Sequence, residues 1–413
     1  MAAGATPLRA GKPPAVWGAI TVRYAMPSLT QRSRWNGLRA RARTIVPAWA
    51  RHRARRMGPR SPAPAWDLNA AERDPLFERY AHTRPRGLLE HHIGVSVSPR
   101  VAEARNLAAA AAELGGRVTL FDPDDADWSA RVRDAGCDGH LLRPRHGRNA
   151  EWSLDQARLA YLHLLGAPTW PTPSEAFLYE DKARSSWWLA ACGVPHVPTS
   201  TFTDLERAYA YLDEATYPLV IKTRHDAGGS GVERVEDRRA ARAAARLFLE
   251  GCYYRRGLTD WREATYGVLI VQPLLPVVSE QRIIRLGDAW FAHTKRLAPG
   301  DWRYSGSGKR DLAFPGTAVL DRGLEVAERL GLHCGAIDLM TLADGSWVVG
   351  EVQTWYAGVR VMNVDGVPHV AWREAGGWRL EEGMPHVHRG QSLRLQAFDA
   401  WLGRGAPAAE RRD

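Results

Sequence analysis

The sequence predicts an α/β protein with a parallel sheet in its first part and a change of character near residue 171. Three observations carry this. Between 88 and 145, short apolar runs alternate with helical ones, the signature of βαβ units. The stretch "VIKTRHDAGGSGVERV" (220–235) sets two β-branched flanks around a run of small residues. Further on, "HCGAIDLMTLADGSWVVGEVQ" (333–353) reads as a hairpin turned on Asp344-Gly345.

The elements follow in order. "LLEHHIGVSVS" (88–98) is a strand, "RVAEARNLAAAAAELGG" a helix, "RVTLFD" a strand. A helix near 128–135 and a strand at "GHLLRPR" complete the series. Ligands of open α/β sheets bind at the carboxyl ends of strands, here Ser96–Arg100. His91 and His92 are adjacent, so in a strand they face opposite sides, which argues against a metal pair. "TPSEAFLYEDKARSSWWLAACGVP" is read as one helix carrying Asp181-Lys182. Helices at 204–214 and 238–250 flank the 220–235 strand pair. Strands follow at "GVLIVQPLL", 281–286 and 289–297, then a helix at 320–330, the DG hairpin, further hairpins and a terminal helix. There are no internal repeats.

Length and charge narrow the class. The 413 residues suffice for two or three domains with real cores. No apolar run reaches the roughly 18–20 residues of a membrane span, and no secretory leader is evident. Cys137, Cys192, Cys252 and Cys334 form no CxxC pair, which fits a reducing, cytoplasmic setting. The net charge of +10 is uneven: residues 1–60 hold 13 Lys and Arg and no acid, leaving 43 basic and 46 acidic residues beyond. Within this arm, Trp35, Leu38, Ile45, Val46 and Trp49 share a face if helical, interrupted by Pro47. A patch for acidic lipid or nucleic acid, a partner dock, a transit peptide and an unstructured extension all remain open; Met26 and Met57 also allow a later start. "SPAPAWD" (61–67) reads as a linker.

The chemistry begins with Lys222 and the small residues Gly228, Gly229, Ser230 and Gly231. A Gly- and Ser-rich loop brings backbone N–H groups close to an anion, and a lysine beside it points to phosphate. An ordinary hairpin with a solvated lysine has the same signature. The order of motifs is more specific: Lys182, Lys222, the loop, Gln272-Pro273-Leu274-Leu275, Glu280 and Arg282, Arg296, Asp338, then Glu351 and Gln353.

In this order the segment from about 168 to 360 resembles an ATP-grasp domain. It is most similar to the glutathione synthetase and ribosomal-protein glutamate ligase branch. Residues 88–167 resemble the α/β domain that precedes it in that family. The resemblance implies an α/β, ATP-grasp fold: two α+β lobes clamping ATP behind a small parallel-sheet domain. The expected organisation is a basic arm and linker at 1–67, the first α/β domain at 68–170, lobes at 171–267 and 268–360, and hairpins with a helix at 361–413.

The resemblance also implies roles. Lys182 and Lys222 would contact α- and β-phosphate oxygens, and the loop would fold over them. Gln272 to Leu275 would read the adenine edge, and Glu280 would accept from the ribose hydroxyls. Asp338 and Glu351, on neighbouring hairpin strands, would hold Mg²⁺ with Gln353, which shares a strand face with Glu351. Two Mg²⁺ ions are expected, with Mn²⁺ as a chemical substitute. The family has Asn where this chain has Gln353, and its following Pro-Gly is replaced by Trp355-Tyr356-Ala357-Gly358. Arg296 would contact the transferring phosphate and Arg282 the carboxylate substrate. "GSGKR" (306–310) lacks the features of a Walker loop and would border the acyl-phosphate site.

The expected activity is ATP-dependent ligation of a carboxylate to an amine through an acyl phosphate, releasing ADP and phosphate. The partners are small-molecule or peptide acids and amines, with acidic surfaces as partners of the arm and an oligomer left open. An ATP-grasp kinase acting on a hydroxyl and a non-catalytic nucleotide-binding scaffold are the alternatives.

Overall fold

In a computed structural model of the chain, the described residues are 89–99, 101–145, 149–225, 231–250, 267–304, 309–356, 358–359, 361–383 and 390–405. The chain divides into units Met1–Ser61 and Pro62–Asp413. The arm and linker at 1–67, Gly228, Gly229, Ser230 and the Gly-Ser-Gly of 306–308 lie outside the described residues.

The first sheet is built from β1 (Ile93–Ser96), α1 (Ala102–Leu114), β2 (Val118–Phe121), α2 (Trp128–Asp134), β3 (Gly139–Leu142), α3 (Asn149–Leu164) and β4 (Thr169–Trp170). Its order is β2-β1-β3-β4, every neighbouring pair parallel. All four residues of β1 and of β3 are buried, as expected for a parallel sheet covered on both faces. The helix α1 ends where Gly115 adopts a left-handed φ of 64°, a conformation glycine enters without steric cost. Helix α3 is not signalled in the sequence reading; it buries Leu159 and Leu162 beside Leu142.

The single helix expected over 172–192 is two. α4 (Pro173–Leu178) carries a complete capping box, with Thr172 and Glu175 exchanging hydrogen bonds. α5 (Lys182–Ala191) starts afresh, its N-cap Asp181 accepting from the Arg184 N–H. Between them Glu180 has a φ of 51°, which breaks the helix.

The second sheet contains β5 (Ser200–Phe202), α6 (Leu205–Glu214), β6 (Leu219–Lys222), β7 (Val232–Val235), α7 (Arg238–Leu249) and β8 (Leu269–Pro273). Its strands run antiparallel in the order β5-β8-β6-β7. Leu219, Ile221, Leu269 and Val271 pack on Ala208, Leu212, Ala241, Ala245 and Phe248 of the two helices. Period-2 alternation then puts Val220, Lys222, Ile270 and Gln272 on the opposite face.

The third sheet holds β9 (Val277–Leu286), β10 (Ala289–Lys295), β11 (Arg310–Asp311), then, after α8 (Thr317–Leu330), β12 (Cys334–Leu342), β13 (Trp347–Gln353), β14 (Met362–Val364), β15 (Val367–Glu374) and β16 (Gly377–Glu382). Its main order is β13-β12-β9-β10-β15-β14. β12 and β13 form the expected hairpin, with Gly345 at a φ of 82°. One face, with Ile283, Ala292, Ile337 and Leu339, packs on Leu320, Val326 and Ala327 of α8. On the other, Ile284, Phe291 and Ala336 share a core with Ile93, Val95 and Leu107 of the parallel sheet and its first helix. The last helix, α9 (Gln391–Gly403), contributes Leu395, Phe398 and Trp401 to that same core. A Cβ on Gly139 of β3 would come within 2.9 Å of the Phe398 ring, so glycine is what lets α9 approach the sheet.

Candidate active site

Antiparallel register gathers the charged residues into cross-strand rows. Asp338 on β12 lies opposite both Glu351 on β13 and Arg282 on β9, and Arg282 lies opposite His293 on β10. Two residues along, Met340, Glu280 and Lys295 form the next row. The preceding row holds Gln353, Ala336, Ile284 and Phe291. All three rows share one face of the third sheet, because directly opposed residues point the same way.

Within the rows the charges are paired. Arg282 grips Asp338 in a two-point fork, Nε to Oδ1 at 2.7 Å and Nη2 to Oδ2 at 2.8 Å. Lys295 Nζ donates to Asp338 Oδ2 at 2.5 Å and also to Glu280 Oε1. Glu280 and Asp338 are only 2% and 3% exposed. Burial works against the Asp338 charge, but Arg282 and Lys295 outweigh it and hold the carboxyl well below the usual carboxylate range. Burial likewise opposes the Arg282 charge, and Asp338 more than compensates, keeping that guanidinium above its ordinary value. His293 is 1% exposed, with Nδ1 unpartnered among the described residues. Burial, then the nearby Arg282 and Arg310 charges, push its imidazole down to about 3, so it is neutral.

The opposing side comes from the second sheet and α5. Lys222 ends β6, half-buried, and its ammonium is pulled down to about 8 by burial and then by the Lys182 charge, against the pull of Glu351 and Glu280. Lys182 is brought there by a buried anchor. Asp181, 1% exposed, accepts from Arg224 Nε at 2.8 Å and Nη2 at 2.7 Å, and the Lys182 N–H donates to the Arg224 carbonyl at 3.0 Å. Gly231 has a φ of 65°, and its carbonyl accepts from the Thr223 N–H at 2.9 Å, closing the base of the loop. Gln272 is buried and donates from Nε2 to Thr199 Oγ1 at 2.8 Å. Pro273 ends β8, and the Leu274 N–H binds the Pro218 carbonyl at 3.2 Å, with Leu275 following, partly buried.

The structure therefore brings Glu280 and Glu351 within electrostatic reach of both Lys222 and Arg282, with Lys182 beside Lys222 and Asp338 on Arg282. Gln353 shares the face of Glu351, and its Nε2 lies 3.5 Å from Glu180 Oε1. Arg296 lies apart, exposed just after β10, paired with Asp311 and with its N–H on the Lys309 carbonyl. The sequence reading did not single out Lys295, His293 or the Asp181–Arg224 pair. Alternation along β10 from Phe291 was the signal that places His293 and Lys295 on the site face.

The acidic side chains of this face differ in what they offer a divalent cation. Glu351 makes no ion pair with a described residue, and with the Gln353 amide it offers the oxygen chemistry that a hard cation takes. Asp338 is different: both of its oxygens are committed to Arg282 and Lys295. Among the described residues no group of three His, Cys, Asp or Glu side chains could hold a metal. Nor is any helix among them long and apolar enough to cross a membrane.

No family model matches the chain. It is 32% identical over 144 residues to a phosphoribosylamine–glycine ligase of Escherichia coli O6:H1, covering 33% of this chain and 33% of that protein. A second such ligase, from Pseudomonas aeruginosa, is 33% identical over 127 residues, covering 29% of the chain and 30% of the relative. The match thus spans about a third of the length of these curated relatives. Among solved structures, the RimK-domain ATP-grasp protein of Sphaerobacter thermophilus superposes with a TM-score of 0.46 at 20% identity, covering 63% of this chain and 90% of that one. In its own strand order the chain has a parallel α/β sheet followed by two antiparallel sheets, each packed against helices on one face, the arrangement that the ATP-grasp resemblance led one to expect.

Proposed function

We propose that the protein is an ATP-dependent ligase that joins a carboxylate to an amine through an acyl phosphate. The observation that supports this most is the facing of two unlike surfaces. Lys222 and Lys182 form a cationic edge on one side, and on the other the mutually paired Asp338, Arg282, Lys295 and Glu280 lie beside Glu351, an acid that makes no ion pair with a described residue. A triphosphate with a divalent ion fits between them by charge. The named curated relatives are themselves ligases of an amine and an amino acid, and they lend no support to a hydroxyl kinase.

In this reading Lys222 and Lys182 bind phosphate oxygens, while the face of Val220, Ile270 and Gln272 receives the base. Glu351 and Gln353 would hold Mg²⁺, which when bound neutralises phosphate charge. Arg282, locked by Asp338, presents a preorganised cation to charge that grows as the γ-phosphoryl moves to the substrate carboxylate. Preorganisation matters because a fork already held by a buried carboxylate need not reorient during reaction. The amine then attacks the acyl carbon, and phosphate leaves with the C–O bond electrons. No nucleophilic side chain is required. The acid and amine are small molecules or peptides, bound near the carboxyl ends of the parallel strands and the 298–316 segment.

Interception by hydroxylamine tests this directly. With ATP, Mg²⁺ and a productive acid, hydroxylamine should replace the amine and give a hydroxamate with one free phosphate for each ADP. A product that retains label from [γ-³²P]ATP, with no hydroxamate, would sink the ligase reading and favour the kinase.

A further inference from the structure

Lys295 occupies the space between two carboxylates that would otherwise be open to a metal. Its Nζ donates to Glu280 Oε1 and to Asp338 Oδ2, the latter at 2.5 Å. Arg282 closes the remaining side of Asp338 with its two-point fork. Two carboxylates and two cations therefore cancel within one buried patch, Lys295 itself being 8% exposed. Inside such a patch charge is poorly screened, so a doubly charged ion entering between Glu280 and Asp338 would be repelled by both cations. On the neighbouring strand the situation differs. Glu351, opposite Asp338, makes no ion pair with a described residue, although Lys222 and Arg282 feel its charge, and the Gln353 amide nitrogen turns toward Glu180 Oε1 at 3.5 Å.

We propose that Lys295 is a built-in cation standing in for a second metal ion, so that the nucleotide-loaded site takes one divalent cation, held by Glu351 and Gln353. This rests on the triphosphate site proposed above and specifies its metal count. The lysine neutralises Asp338 and fixes its rung, as an ion would, but it cannot dissociate. The site therefore keeps its shape when the divalent ion leaves.

The test is a Mn²⁺ titration of the full chain, loaded with a non-hydrolysable imido analogue of ATP and followed by electron paramagnetic resonance. The expected count is one tightly bound Mn²⁺ per loaded chain, without the spectral broadening of a coupled pair. Lys295→Met, which removes the cation bridging Glu280 and Asp338, should bind two and show the broadening. Lys295→Arg should stay at one. Two coupled ions in the unsubstituted chain, or a single ion in folded Lys295→Met, would overturn the proposal. Should Lys295→Met not fold, the counts for the unsubstituted chain and Lys295→Arg decide. Calorimetry of the analogue separates the two claims: a chain that binds nucleotide with two ions refutes only the role of Lys295, whereas a chain that binds no nucleotide refutes the site itself.

Discussion

The two sheets that line the candidate site treat charge in opposite ways. On the eight-stranded sheet, Asp338, Arg282, Lys295 and Glu280 neutralise one another before any ligand arrives. On the four-stranded sheet, Lys222 is half-buried, makes no ion pair with a described residue and lies close enough to Lys182 to be depressed by it. That four-residue cluster is paired as folded, with Glu351 beside it on the neighbouring strand. The second surface is held at a cost that an incoming anion would relieve. Positional rigidity and binding drive are thus placed on different elements, which lets the phosphate side tighten without disturbing the rung that presents Arg282.

The largest effect should come from breaking the neutral surface. Asp338→Asn takes the carboxylate fork from partly buried Arg282 and one carboxylate from buried Lys295, and denaturant unfolding should register a loss of about 3–5 kcal/mol. A loss below about 1 kcal/mol would mean that the pairing is incidental. Glu351→Ala should act on turnover rather than stability. ADP formation should fall at least about a hundredfold, near 2.7 kcal/mol of barrier, while the unfolding midpoint stays put. Normal turnover in a folded Glu351→Ala chain would remove the metal assignment.

Lys222 sharpens the other side through pH. Its folded value is about 8 against an ordinary 10.5, so between these limits the unfolded chain binds more protons and stability rises with pH. Below about 8 both states carry the charge and the folded state bears the full penalty. Lys222→Met should lack this slope, seen by comparing the two proteins in urea at pH 7.5 and 9.5. Nucleotide affinity should move the opposite way, weakening up to about tenfold per unit above pH 8 as the ammonium is lost. An affinity flat across that range would detach Lys222 from the phosphates. The smallest effect is expected from deleting residues 1–60. Turnover of a small substrate should be unchanged, while salt-sensitive affinity for anionic lipid or nucleic acid should drop. Loss of nucleotide binding on deletion would place the arm within the working body.

Much of this was legible in the residue order. Alternating strands and helices gave the parallel sheet, and the Asp344-Gly345 turn gave the hairpin that sets Asp338 opposite Glu351. Other features depend on tertiary pairing that one-dimensional pattern does not encode. The apolar spacing of 172–192 is continuous with a single helix. What ends the first one is Glu180 at positive φ and Asp181, buried to cap the next helix and bind Arg224, which is 43 residues away. Lys295 lies beside Arg296 in the sequence, and nothing in the local pattern sets the two apart. Only the register of β9, β10 and β12 shows that 295 faces Glu280 while 296 turns out to Asp311.

The helix α9 bears on how the protein is made. Its Asp399 carboxylate accepts from the backbone N–H groups of Glu90 and His91, at 3.1 and 2.9 Å, across a separation of 309 and 308 residues. Phe398 and Trp401 complete the core beneath β1. On the ribosome, at roughly 5–20 residues per second, the first sheet would therefore wait about 15–60 s for the helix that covers it. During that interval its apolar underside is open to chaperones and to other nascent chains. Synthesis is therefore a stage at which this fold is exposed to aggregation.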